Sequence, residues 1–174
     1  MQCKKALEEA GGDIAQAEVI LRKRSAASAE KKADRELAAG VVGSYVHEGA
    51  VGAMVVLSCE TDFVAKNPEF GILARDIAMQ VAATNPTYTS IEDVPEDAKA
   101  AATAVFEKEV ADKPVDMQAK ILEGKLGSYF RDQVLVEQSF IKDESRTIRD
   151  LLNEATQKFG ERVELSQFAR LSTR

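Results

Sequence analysis

The hydrophobic pattern changes its period along this chain, and that change limits the fold more than any other feature. Apolar residues alternate over 41–46 and again over 51–57, with Glu48-Gly49 between the two runs. Alternation returns only near the end of the chain, at Val163, Leu165, Gln167, Ala169 and Leu171. Two alternating runs around a short glycine turn predict a β-hairpin, and the late run predicts a third strand.

Between the hairpin and the late strand the pattern is helical. Asn67-Pro68 places a capping residue before a proline at the first helical position, and Asn85-Pro86 ends the same segment. Its apolar residues recur at helical spacing: Phe70, Leu73, Ala74, Ile77, Ala78 and Val81. This spacing predicts one continuous buried face.

Three more helices are predicted after this one. The first covers Pro95 to Asp112 and stops at Lys113-Pro114. The second runs from about Val115 to beyond Phe130, with core contacts expected at Ile121, Leu122, Leu126 and Phe130. The third opens at Thr147, with Asp150 in a capping-box position, and ends at Gly160. Helices grouped between strands predict an α+β fold, with a three-stranded antiparallel sheet covered by helices.

The N-terminal residues predict a separate small helical module. Gly11-Gly12 divides two short helices, and Asp13 with Gln16 resembles a capping box for the second. The buried face of that second helix is expected at Ile14, Ala17, Val19, Ile20 and Leu21. The predicted division is a module over 1–24, a linker over 25–39 and a core over 40–174. The module opens inside an amphipathic segment, so a truncated N-terminus is expected.

Composition and charge exclude several functional classes. The 174 residues carry 29 acidic and 23 basic side chains, a net charge of −6, which disfavours a direct nucleic-acid partner. The basic stretch from Arg22 to Arg35 is interrupted by acids, so a solvated linker is favoured over an RNA patch. No apolar run is long enough for a membrane span, and no signal peptide is recognisable, so a cytoplasmic location is expected.

No cofactor, nucleotide or metal site is predicted. Two cysteines and one histidine are too few for a zinc site, and no glycine-rich phosphate loop occurs. Cys59 and His47 lie on the two hairpin strands and would form a Cys–His nucleophile pair if they faced each other. The alternative for Cys59 is a buried structural cysteine.

The connection after the second strand is the most informative segment, Cys59-Glu60-Thr61-Asp62-Phe63-Val64-Ala65-Lys66-Asn67. Phe63 is a large apolar residue at a place where turns prefer small polar ones. One interpretation is a hydrophobic staple, with Phe63 folded beneath the following helix and Asp62 as a local cap. The other is an outward-facing aromatic for a partner.

The same segment resembles the strand-to-helix junction of elongation factor Ts, which carries Thr-Asp-Phe-Val. Other segments resemble that family in the same order along nearly the whole chain. They are Cys3 to Ala10 with Gly12-Asp13, similar to its ubiquitin-associated-like N-terminal module, then Gly43-Ser44-Tyr45-Val46-His47, Ala78-Met79-Gln80-Val81-Ala82-Ala83, Ser139-Phe140-Ile141-Lys142-Asp143 and Phe168-Ala169-Arg170-Leu171. The chain resembles a short form with a single core unit and no coiled-coil insertion.

The resemblance implies a non-enzymatic exchange factor that binds elongation factor Tu and releases its GDP. By this likeness Phe63 is the wedge and Asp62 its polar companion, flanked by Thr61 and Val64 at the Tu nucleotide domain. Further possible contacts are Lys4, His47 and Gln80; for the last two the alternative is a satisfied polar residue on an exposed strand or helix. Short members pair, so a homodimer is implied. The alternative function is an α+β interaction module, ribosome-associated or part of a larger polyprotein, without exchange activity.

Overall fold

The computed structural model describes residues 2–112 and 114–173. Its helices and strands in chain order are α1 (Gln2–Glu9), α2 (Ile14–Glu30), β1 (Ala39–His47), β2 (Val51–Cys59), α3 (Asp62–Ala65), α4 (Pro68–Thr84), α5 (Glu96–Val110), α6 (Val115–Gln133), β3 (Ser139–Phe140), β4 (Asp143–Thr147), α7 (Ile148–Phe159) and β5 (Val163–Ser172). Short 3-10 turns occur at Ile91–Asp93 and Leu135–Glu137. The α+β prediction is confirmed.

The three long strands form one antiparallel sheet in the order β1-β2-β5. The predicted hairpin pairs Val42 with Val56 and His47 with Val51 across a turn at Glu48 and Gly49, both of which have positive φ. The late strand then pairs with β2, so that Val163 lies opposite Cys59. A strand distant in sequence therefore completes the sheet, as the late alternation predicts.

A bulge in β5 changes which of its side chains face inward. Leu57 pairs with Leu165 but Val56 pairs with Gln167, so Ser166 is the extra residue. Beyond it the alternation is reversed, and Phe168 packs against the core while Leu171 is exposed. The prediction that residues 163–171 keep one unbroken alternating face is wrong for this reason.

Helix α4 covers the inner face of the sheet. It begins after Asn67, whose side chain accepts a hydrogen bond from Glu69 N, and ends at Asn85 in the left-handed conformation. Its predicted apolar stripe is confirmed, with Phe70, Ala74 and Ile77 all buried against the strands. The approach is close because β1 has glycine at position 43, where an added Cβ would lie 2.4 Å from the carbonyl carbon of Ala74.

The remaining helices close the core. Helix α7 begins with the predicted capping box between Thr147 and Asp150 and ends at Gly160, which has φ 75°. Helices α5 and α6 pack against each other, and Phe130 at the end of α6 is buried in the core. Helix α5 ends at Val110; the predicted stop at Lys113-Pro114 falls partly outside the described residues, since Lys113 is not among them.

The short hairpin β3–β4 was not predicted from the sequence. It joins α6 to α7 and pairs Ser139 with Thr147. Within residues 2–112 and 114–173, no helix combines the length and the apolar character needed to cross a membrane.

At the N-terminus, α1 and α2 pack through small residues, with Ala6, Ala10 and Ala17 buried. Asp13 caps α2 by accepting from Gln16 N at 3.0 Å. Two of the residues expected on the buried face of α2 are exposed, Ile14 and Val19, because α2 packs instead along α7 through its other side. Helix α2 continues to Glu30, into the segment expected as a linker.

Candidate functional site

The connection between β2 and α4 is a single short helical turn, α3. Thr61 occupies its N-cap position in extended conformation (φ −128°, ψ 156°), and the turn is closed by backbone bonds from Lys66 N to Asp62 O at 3.0 Å and from Asn67 N to Val64 O at 2.9 Å. Asn67 follows directly and caps α4. The chain therefore passes from strand to helix through one short turn and one helix cap, with no longer loop between them.

Two neighbouring residues of α3 point in opposite directions. Val64 is buried in the core, whereas Phe63 is 81% exposed, the most exposed of the large apolar side chains described. An exposed aromatic of this size loses water-accessible area only when something binds over it. The staple interpretation of Phe63 is wrong, because its ring does not lie beneath α4.

Asp62 gives this tip a negative charge. Its carboxylate Oδ2 lies 2.5 Å from Lys66 Nζ, and both side chains are exposed. The hydrogen bond from Lys66, followed by its positive charge, holds the pKa of Asp62 below its ordinary value. Because the pair is solvated, Lys66 is free to exchange this contact for another at little cost.

The base of the junction is held by residues that precede β5. The Glu161 carboxylate accepts hydrogen bonds from Thr61 N at 3.0 Å and from Thr61 Oγ1 at 2.6 Å. The Glu60 carboxylate accepts from Arg162 N at 2.6 Å and from Arg35 Nη1 at 3.1 Å. The pKa of Glu60 is lowered, and the largest cause is the hydrogen bond from Arg162 N. Sequence reasoning missed Glu161 and Arg162.

His47 does not lie near Phe63. It ends β1 at the turn of the hairpin, while Ala39 at the other end of β1 pairs with Cys59, just before the junction. Nine residues of β-strand separate these ends, a distance of about 27 Å. His47 is exposed, and its Nδ1 lies 3.0 Å from the hydroxyl of Tyr45.

Lys4 lies on α1, where its exposed ammonium is 3.8 Å from Glu8. That exposed i,i+4 pair contributes little and leaves Lys4 available to a partner. The structure therefore places Lys4, His47 and Phe63 at separate points of the surface and does not bring them together.

Gln80 lies in the interior. Its Nε2 donates to Gln138 Oε1 and to Ser139 O, both at 3.1 Å, and its Oε1 accepts from Ile141 N at 2.9 Å. The side chain is fully buried, so its hydrogen-bonding groups are used within the chain. The polar groups of Gln80 are therefore satisfied, but the residue lies in the interior and not on an exposed helix face, and its bonds tie α4 to the hairpin β3–β4.

A Cys–His nucleophile is excluded. Cys59 and His47 lie at opposite ends of the hairpin and are not cross-strand neighbours. Cys59 is fully buried, its Sγ contacts Thr61 O at 3.2 Å, and burial raises the pKa of its thiol. Among the residues that the structure describes, no three His, Cys, Asp or Glu side chains converge as metal ligands.

Comparison with known proteins identifies relatives that span this fold. Residues 27–173 match the family model described as Elongation factor TS. The chain is 45% identical over 171 residues to elongation factor Ts of Thermodesulfovibrio yellowstonii, covering 98% of this chain and 86% of that one. It is 46% identical over 171 residues to the Thermotoga petrophila protein of the same name, with the same coverage. Its identity to the Carboxydothermus hydrogenoformans protein of that name is 44% over 173 residues, covering 98% and 80%.

Proposed function

The chain belongs to the elongation factor Ts family, and we propose that it is a guanine-nucleotide exchange factor for elongation factor Tu. In this proposal it works in translation elongation in the cytoplasm. It binds Tu–GDP, disturbs the magnesium and phosphate site, and so releases GDP. It also binds the nucleotide-free form of Tu. No covalent step is involved, because an exchange factor acts by binding one state of its partner better than another.

The observation that carries the proposal is the presentation of Phe63. The ring stands 81% exposed on a turn whose next residue, Val64, is anchored in the core. The turn is also bounded by β2 on one side and by the Asn67 cap of α4 on the other. A side chain held this way loses little conformational entropy when it docks, so most of its burial energy goes into binding.

The binding energy available from one docked phenylalanine ring is large enough to drive nucleotide exchange. Full burial of a phenylalanine side chain at the centre of an interface contributes roughly 2–3 kcal/mol. Binding of the factor and of GDP must be antagonistic, and each tenfold loss of GDP affinity requires about 1.4 kcal/mol of coupling. One docked ring therefore supplies about 30- to 150-fold of acceleration. The exposed carboxylate of Asp62 lies beside it and would oppose the charge of the bound phosphates.

The exchange proposal is tested by GDP release from Tu. Release of a fluorescent GDP is followed by stopped flow with the unchanged chain, with Phe63→Ala and with Val105→Ala, a variant of another exposed apolar residue, on α5. We expect Phe63→Ala to lose about 30- to 150-fold of the acceleration with an unchanged unfolding midpoint, and Val105→Ala to lose none. No acceleration by any of the three proteins would favour the interaction module without exchange activity, and equal acceleration by all three would refute the role of Phe63.

We further propose that the chain is a homodimer, paired through the outer face of its sheet. That face is opposite α4 and carries exposed Val42, Val46, Met54 and Leu171. Among the described strand residues of this face, the only charged one is Glu164, which lies at one end of the sheet. Two copies can therefore stack these faces without bringing like charges to the centre, and a sheet left open on such a face is otherwise a liability in water.

The dimer is tested by sedimentation. The unchanged chain is expected to sediment at twice the protomer mass, and Met54→Glu at the protomer mass, because an unpaired carboxylate in a stacked sheet interface is costly. Val105→Glu is the control and should remain dimeric. A monomer at all concentrations for the unchanged chain would contradict this arrangement.

A further inference from the structure

Helix α3 is too short to hold itself in place. It has only four residues, Asp62–Ala65, and a helical turn of this length is unstable alone. Thr61 has the N-cap position, yet its side chain makes no capping bond to α3. The Thr61 hydroxyl is directed instead towards Glu161. The turn that carries Phe63 must therefore draw its stability from outside.

Two glutamates, Glu161 and Glu60, support α3 from outside the helix. Glu161 accepts from the backbone N–H of Thr61, and Glu60 accepts from the backbone N–H of Arg162. Each acid thus binds the backbone of the segment opposite. The arrangement follows from the sheet, because Cys59 pairs with Val163 and the next residues out from this pair face each other without ladder bonds.

Thr61 is held at each of its polar atoms. Its N–H and hydroxyl donate to the two oxygens of the Glu161 carboxylate, and its carbonyl accepts from Ala65 N and from the Cys59 thiol. A carboxylate suits this place because it offers two acceptors to two donors. A glutamine would set an N–H against one of those donors.

We propose that Glu161 is a positioning residue for nucleotide exchange: it fixes Thr61, and through Thr61 the direction in which Phe63 is presented. The inference rests on the exchange function proposed above. Glu161 itself need not contact Tu, because it acts from the loop between α7 and β5. Loss of its two bonds releases the start of α3, and the ring of Phe63 then samples orientations that do not dock.

Amide hydrogen exchange tests the structural half of this inference. Glu161→Gln should speed the exchange of the amides of Ala65 and Lys66, which bond back to Thr61 and Asp62, by about three- to tenfold, as expected for loss of one or two hydrogen bonds. Glu164→Gln is the matched control, since Glu164 lies at the start of β5, three residues after Glu161, and binds Arg162 rather than Thr61. Unchanged protection of both amides in Glu161→Gln would overturn the positioning role.

The functional half is tested by GDP release with a double variant. Glu161→Gln alone should slow Tu-dependent exchange about three- to tenfold at unchanged unfolding midpoint, while Glu164→Gln should not. In a Phe63→Ala background, Glu161→Gln should cause no further loss, because its effect passes through the ring. Equal losses in both backgrounds would overturn the inference in favour of a general structural role.

Failure of the inference and failure of the proposed function give different results. If the unchanged chain does not accelerate GDP release, the exchange function is refuted whatever Glu161→Gln does to the amides. If the unchanged chain and Phe63→Ala accelerate release equally, exchange stands but does not pass through Phe63. If Phe63→Ala slows release but Glu161→Gln does not, the exchange function stands and the positioning role of Glu161 is refuted.

Discussion

A single methyl group at position 43 should destabilise the whole core. The Cβ of Gly43→Ala would lie 2.4 Å from the carbonyl carbon, 2.6 Å from the carbonyl oxygen and 2.7 Å from the Cβ of Ala74. Ordinary contact begins near 3.4 Å. None of these atoms is the end of a flexible side chain, so β1 and α4 must move apart by about 1 Å.

The loss of stability in Gly43→Ala depends on the apolar contact between α4 and the sheet. A gap of that size removes a quarter to a half of the packing attraction along the contact between α4 and the sheet. We expect a loss of about 3 kcal/mol in the free energy of unfolding, the upper part of the usual range for overpacking. For a chain of this size the unfolding midpoint should fall by about 6–12 °C.

The assay is thermal and urea unfolding followed by circular dichroism, at one protomer concentration throughout. Gly71→Ala is the matched control, because Gly71 lies within α4 and an added Cβ there meets no atom within 4 Å. We expect that control to gain about 0.5–1 kcal/mol from helix propensity. A Gly43→Ala protein as stable as the unchanged chain would refute the close approach of β1 to α4.

Three further predictions concern buried and charged groups. Gln80→Leu should cost about 2–4 kcal/mol of unfolding free energy, because it leaves buried hydrogen-bonding groups unpaired; a smaller loss than for an exposed helix residue would contradict the network. The folded pKa of Glu60 is depressed, so its contribution is complete above its ordinary pKa of 4.5 and is lost as pH falls below that value. The destabilisation by Glu60→Gln should therefore be larger near pH 7 than near pH 4 in pH-dependent urea unfolding, and equal values would contradict the bonds from Arg162 and Arg35. A thiol reagent should modify exposed Cys3 quickly and buried Cys59 slowly in the native state; fast modification of both would contradict the burial of Cys59.

Elements with local start and stop signals were predictable from the sequence. Asn67-Pro68 fixes the start of α4, and the Thr147–Asp150 capping box fixes the start of α7. In each case the groups that satisfy the first backbone amides lie within four residues of one another, so the signal is contained in a short stretch. The β1–β2 hairpin is predictable for the same reason.

Features that depend on distant partners were not predictable. The bulge at Ser166 exists because β5 must match β2, and nothing within β5 marks it. A sequence pattern that assumes unbroken alternation therefore does not predict that the faces of β5 reverse beyond the bulge. The hairpin β3–β4 is too short to show a period of its own.

The candidate site shows the same division. Phe63 could be singled out by its place after a strand, but the bond between Glu161 and Thr61 joins residues 100 positions apart. Gln80 carried a usable signal: it lies three residues after Ile77, on the buried stripe of α4, and that position indicates the interior.

The central claim is that the ring of Phe63 enters the nucleotide-binding domain of elongation factor Tu. Its most direct test replaces Phe63 with a photoreactive benzoylphenylalanine, mixes the protein with nucleotide-free Tu, irradiates, and maps the cross-linked peptide by mass spectrometry. The account predicts a cross-link in that domain close to the phosphate site, weakened by added GDP because the two ligands are antagonistic. A cross-link elsewhere on Tu, or one insensitive to GDP, would contradict it.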